Sequence, residues 1–158
     1  MNMSSYVRVG IAFLSCFSAG FIGSLFVNSA AGSWYAGIAK PFFNPPSWVF
    51  GPVWTTLYVM MAIALLIIWE RDPNAKEMRG WVPLFFAHLL LNAGWTVFFF
   101  GYHAVFVGML DILLLLLSVF LLTMGAWEID KRASFLLMPY LLWVLFATLL
   151  NISIWVLN

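Results

Sequence analysis

A handful of residues capable of polar chemistry are set into otherwise apolar stretches: Trp54 and Tyr58, then His88, Asn92 and Trp95, then Asp111, then Tyr140, Trp143 and Asn151. Their spacing is helical. His88, Asn92, Trp95 and Phe99 follow i, i+4, i+7, i+11, and Trp54, Tyr58 and Met61 share a stripe in the same way, as do Tyr140, Trp143, Ala147 and Asn151. Indoles, phenols and amides arranged like this suit noncovalent recognition of a flat apolar molecule. They do not form a hydrolytic set, because no nucleophile stands beside a base and no catalytic carboxylates are paired. His88 and His103 fall at different depths, and no metal constellation is visible, so no metal and no required cofactor are expected. The single Cys16 cannot form an intrachain disulfide.

The elements that must position these residues follow from composition. Of 158 residues, 65% are hydrophobic and 8% charged, against roughly a quarter charged in ordinary soluble domains. A net charge of +1, without a basic stripe, argues against nucleic acid as a partner. The apolar runs are long enough for five spans, near residues 9–27, 48–69, 80–100, 104–127 and 133–155. The expected fold is an all-α membrane protein, a bundle of five transmembrane helices forming a single domain over 1–158. The first run also admits a signal-peptide reading, with small residues at Ser29, Ala30 and Ala31, but it is long and its leader carries only Arg8.

Five spans place the N-terminus and the connections 71–79 and 128–132 on one side. That side carries Arg8, Arg71, Lys76, Arg79, Lys131 and Arg132, and the opposite side only Lys40, so positive-inside logic makes the N-terminus cytoplasmic. The segment 28–47, rich in Gly, Pro and aromatics, is expected as a lid over the opposite end. Entered from known sides, the spans bring Trp54, Asn92, Trp95, Asp111 and Asn151 beneath that loop, with Trp143 near mid-membrane. Polar side chains in lipid should face the bundle interior, so an aromatic-walled cavity is expected there.

Plainer readings stand beside this one. Trp69, Trp81, Trp127 and Trp155 lie near span ends, where interfacial anchoring is the default. Buried tryptophans are commonly core packing, and Asn92 and Asn151 serve equally well as interhelical hydrogen-bonding residues. His88 alone reads as a structural histidine, and Asp111 must be neutral, paired or wet. Small residues at Ser15, Ala19 and Gly23, with Cys16, Gly20 and Ser24 alongside, permit close approach either within the bundle or to a second copy.

Three blocks carry a more specific signal: WYAGIAKPFFNPP from Trp34 to Pro46, LNAGWTVFFFG from Leu91 to Gly101, and PYLLWVLFATLLN from Pro139 to Asn151. In this order they resemble the tryptophan-rich sensory protein and translocator protein family, also called peripheral benzodiazepine receptor, over essentially the whole chain. The resemblance implies a homodimer and a cavity for porphyrins, haem-like tetrapyrroles, sterols and synthetic ligands, lined by Tyr35, Pro45, Trp54, Tyr58, Asn92, Trp95, Trp143 and Ala147. It further implies light-dependent porphyrin degradation, which by position would involve Trp54 and Trp143. The expected function is therefore tetrapyrrole binding for sensing, regulation or transport. Photo-oxidative degradation, dependent on light and oxygen, and a sterol- or lipid-binding membrane scaffold are the alternatives. Phe43 stands where many relatives carry Trp. The stretch ISIWVLN after Asn151 lacks the Tyr and Arg of the proposed animal sterol motif, itself a weak pattern.

Overall fold

Uninterrupted runs of Leu, Ile, Val, Phe and Ala satisfy their backbone groups within a single segment only as helices, which decides the architecture. In the computed structural model, which describes residues 5–30, 34–71 and 76–158, five long helices run Ser5–Ala30 (α1), Phe50–Trp69 (α3), Lys76–Thr96 (α4), Val105–Ile129 (α5) and Lys131–Leu157 (α6). A single turn, Trp34–Gly37 (α2), lies between α1 and a 3₁₀ turn at Ser47–Val49 that leads into α3. All five long helices are long and apolar enough to cross a membrane, making the chain an integral multi-pass membrane protein. Ala31 and part of both the 28–47 and 71–79 connections lie outside the described residues.

The helices close a ring in the order α1, α3, α6, α5, α4, while α3 and α4, although consecutive, barely touch. α1 begins and ends beyond its expected bounds, and α6 starts two residues earlier than expected because Asp130 alone separates it from α5. Asp130 is extended and its carboxylate accepts from the Arg132 backbone N–H at 2.9 Å, an N-cap that starts the last helix. The same carboxylate pairs with the Arg71 and Arg132 guanidinium groups, which hold it well below the usual carboxylate range. Arg8 donates to the Trp69 carbonyl at 2.9 Å, so Arg8, Arg71 and Arg132 gather at one end of the bundle.

Small residues on α1 serve internal packing. Ala12, Cys16 and Ala19 are buried, and a Cβ on Gly23 would meet the Thr96 hydroxyl at 2.9 Å. Trp81 corrects the interfacial expectation. It is only 4% exposed, its indole donates to the Leu122 carbonyl at 2.8 Å, and its ring lies over Gly125, where a Cβ would come within 3.0 Å. Trp127 and Trp155 are exposed as anchors should be.

α4 does not end as a simple helix. Val97–Gly101 winds as a π turn, with Tyr102 N–H donating to the Val97 carbonyl and Ala104 N–H to that of Phe98. His103 follows at φ 55°, a left-handed conformation that is uncommon for residues other than glycine. Phe99, within the π turn, keeps the inward placement expected of its stripe and is 2% exposed.

Candidate functional site

The three helical stripes face inward, and they meet. Tyr58 on α3 donates to Asn92 Oδ1 on α4 at 2.7 Å, and Asn92 Nδ2 donates to the Tyr140 hydroxyl on α6 at 3.1 Å. One amide thus ties three helices together inside an apolar medium, where each such bond contributes about 0.6–1.7 kcal/mol. Tyr58 reaches Asn92 by lying against the backbone of α1: a Cβ on Gly20 would fall 2.4 Å from Tyr58 Cε2, so only glycine admits the ring.

On this network rests an aromatic wall. Trp54 stacks on Tyr58 at 5.6 Å and meets Tyr140 edge-on at 6.2 Å. Trp143 meets Phe50 edge-on at 5.9 Å and Phe146 at 5.5 Å, and Phe43 from the lid touches Phe146. Ala147, one turn beyond Trp143, is buried in the core. Between α3 and α6 a groove of about 540 Å³ opens sideways, lined by Val53, Thr56, Leu57, Met60 and Trp143 among others. That volume lies within the roughly 300–1,000 Å³ of small-molecule sites. Phe50 and Phe146 were not singled out by spacing, although Phe50 precedes Trp54 by one helical turn.

Trp95 belongs to a second cluster. It stacks on Phe99 at 5.3 Å and donates to Asn151 Oδ1 at 2.9 Å, while Asn151 Nδ2 donates to the Val105 carbonyl at 3.1 Å. Tyr35 from α2 meets Phe99 and Phe100, and its hydroxyl donates to Asn44 Oδ1 at 2.9 Å. Burial raises the Tyr35 phenol above its ordinary value, partly countered by that bond. Asn44 in turn donates to the Pro45 carbonyl at 3.1 Å, and Trp34 stacks on His103 at 4.3 Å. The eight positions therefore fall into a wall group (Trp54, Tyr58, Asn92, Trp143, Ala147) and a lid group (Tyr35, Pro45, Trp95), with α4 contributing to both.

Among the described residues, three buried side-chain atoms have no hydrogen-bond partner: His88 Nε2, Asp111 Oδ2 and Trp143 Nε1. His88 places Nδ1 on the Phe85 carbonyl and its ring beside Tyr140. Asp111 lies against α4 at Gly94, where a Cβ would sit 3.2 Å from Oδ1. Of the three, Trp143 alone lines the groove.

Residues 12–156 match the TspO/MBR family. The chain belongs to that family. It is 42% identical to the tryptophan-rich protein TspO of Archaeoglobus fulgidus, over 96% of this chain and 97% of that one. The human translocator protein is 37% identical over 85% of this chain and 80% of its own length. The tryptophan-rich sensory protein of Cereibacter sphaeroides is 31% identical over 79% and 77%. Among the inward tryptophans of this TspO/MBR chain, Trp81 and Trp95 have indoles bonded to the protein, whereas the buried Trp143 donor has no partner among the described residues.

Proposed function

We propose that this TspO/MBR family protein binds a flat, mainly apolar molecule of the tetrapyrrole type against the Trp54–Trp143 wall, for sensing, regulation or transport. The observation that carries the reading is the buried indole N–H of Trp143, which has no acceptor among the described residues although it stands among rings beside a groove of ligand size. A macrocycle offers what the wall lacks, a face to stack and a ring-nitrogen or carboxylate acceptor. In this reading Trp143, the one of the eight positions that borders the groove, touches the guest, Trp54 and Ala147 stand behind the groove's lining, Tyr58 and Asn92 fix the wall, and Tyr35, Pro45 and Trp95 shape the lid. Removing a buried aromatic anchor costs binding about 2 kcal/mol or more, roughly thirtyfold. Titration of protoporphyrin IX into the purified protein, followed by tryptophan fluorescence, should show Trp143→Ala weakened to that extent and Trp127→Ala unchanged. Equal affinities for the two variants would refute the site.

The stack of Trp54 on Tyr58 favours a second reading, in which an excited bound chromophore takes an electron from these rings and passes it to oxygen, leaving a ring radical on the protein, and the reduced oxygen species attacks the macrocycle. Loss of porphyrin absorbance would then require both light and oxygen and be slowed by Trp54→Phe with Trp143→Phe, while binding persists. The cytoplasmic placement of the Arg8, Arg71 and Arg132 end is part of the same proposal, supported by the lone Lys40 opposite, as is assembly into a homodimer.

A further inference from the structure

Where the lid passes the end of α6, the Asn158 side chain grips the Ala39 backbone from both sides. Its Oδ1 accepts from the Ala39 N–H at 3.0 Å and its Nδ2 donates to the Ala39 carbonyl at 3.1 Å. The strap holds the next residues of the lid beside the helix and leaves a second groove, about 520 Å³, lined by Lys40, Pro41, Phe42, Ile152, Ser153, Val156 and Leu157. Its walls are apolar, and Phe42 and Val156 are 100% and 71% exposed. Lys40 stands in its lining, half-buried, donating to the Ile38 carbonyl at 2.9 Å and lying 4.8 Å over the Tyr35 ring. It is also the only Lys or Arg between Arg8 and Arg71.

Depth decides what can fill this groove. α6 has 27 residues, about 40 Å at 1.5 Å per residue, against a hydrocarbon core of about 30 Å. Its Leu157 end, and Lys40 beside it, therefore reach the headgroup layer, while Ile152 and Ser153 lie one to two turns deeper, among acyl chains. An occupant with an anionic head at Lys40 and a hydrocarbon tail along Ile152 and Val156 matches both ends at once. The stretch after Asn151 carries no cation of its own, and the lid supplies one. The groove between α3 and α6 has no such cation.

We propose that this groove is a site for an anionic phospholipid of the leaflet on the lid side, with its phosphate at Lys40 and one acyl chain between Phe42 and α6. Its occupancy covers Phe42 and fastens the lid to α6 alongside the Asn158 strap. The inference does not depend on the tetrapyrrole reading.

The test is native mass spectrometry of the protein released from nanodiscs of equal parts phosphatidylglycerol and phosphatidylcholine with identical chains. The parent should retain phosphatidylglycerol over phosphatidylcholine by roughly fivefold, the factor one lysine near an anionic surface supplies. Lys40→Gln should abolish the preference and Lys40→Arg should keep it. Val156→Trp, which fills the groove and leaves the cation, should lower retention of both lipids. Helical content by circular dichroism identifies any variant that fails to fold, and the parent's preference is decisive without variants. Equal retention by the parent, a preference surviving Lys40→Gln, or unchanged retention in Val156→Trp overturns the proposal. So does displacement of the lipid by glycerol 3-phosphate, which would make Lys40 a phosphate site without a tail. Preferential retention of cholesterol from a ternary nanodisc, insensitive to Lys40→Gln, would reassign the groove to a sterol.

Discussion

Replacing Asn92 by Leu removes both bonds that join α3, α4 and α6, the 2.7 Å bond from Tyr58 and the 3.1 Å bond to Tyr140, and leaves two phenols facing an apolar side chain. At about 0.6–1.7 kcal/mol for each interhelical bond, the expected loss is roughly 1–3 kcal/mol. The penalty comes from stranding partners rather than from the amide itself, because replacing a hydrogen-bonded set entirely by apolar groups of similar shape is nearly neutral. The triple variant Tyr58→Phe, Asn92→Leu, Tyr140→Phe should therefore recover at least half of what the single variant loses. Unfolding by sodium dodecyl sulfate in mixed micelles, followed by circular dichroism and tryptophan emission, gives both numbers. A triple variant less stable than Asn92→Leu alone would refute the network as drawn. If Asn92 acts on the guest only through the wall, the triple variant should also keep porphyrin affinity within about threefold.

Three further outcomes are expected. Asp130 has its carboxyl acidity strengthened by Arg132 and Arg71, so its contribution is complete above the unfolded carboxylate value of about 3.9 and is lost as pH falls through the lower folded value; the parent's melting temperature should decline below about pH 4, and Asp130→Asn should start lower at pH 7 and lack that decline. Gly20→Ala, despite a helix-propensity gain of about 1 kcal/mol, should destabilise by about 1–3 kcal/mol because its Cβ would meet Tyr58, whereas Gly10→Ala, with nothing within 4 Å, should be neutral or stabilising in the same assay. In a Cys16→Ser background, Gly37→Cys and Glu128→Cys should react with an impermeant maleimide from opposite faces of a sealed vesicle, and labelling from one face would contradict the topology.

Periodicity and span length were sufficient to recover much of this arrangement. The three stripes and the expected spans depend on helix geometry and on the cost of polar groups in lipid, both properties of the sequence alone. Trp81 escaped because its neighbour Gly125, forty-four positions away, is what makes room for it, and no local pattern carries that information. The π turn was hidden for a related reason: VFFFG is equally apolar whether wound as α or π, and Phe99 falls on the inward stripe in either case. The division of Trp54 and Trp95 into separate clusters follows from the closure of the ring, and Lys40 and Val156 come to line one groove only because the lid returns to the end of α6. The role of Asn158 could not have been read from its type, since the atoms it holds are backbone groups of Ala39.

The single residue between α5 and α6 has a consequence for how the two helices can move. One extended peptide unit spans about 3.3–3.6 Å, too little to let either helix shift at that end without carrying the other. Asp130 sits at the bend, and Arg71, from the connection after α3, donates to its carboxylate. A displacement of α3 at this end is therefore passed to the bend, and so to α5 and α6 together.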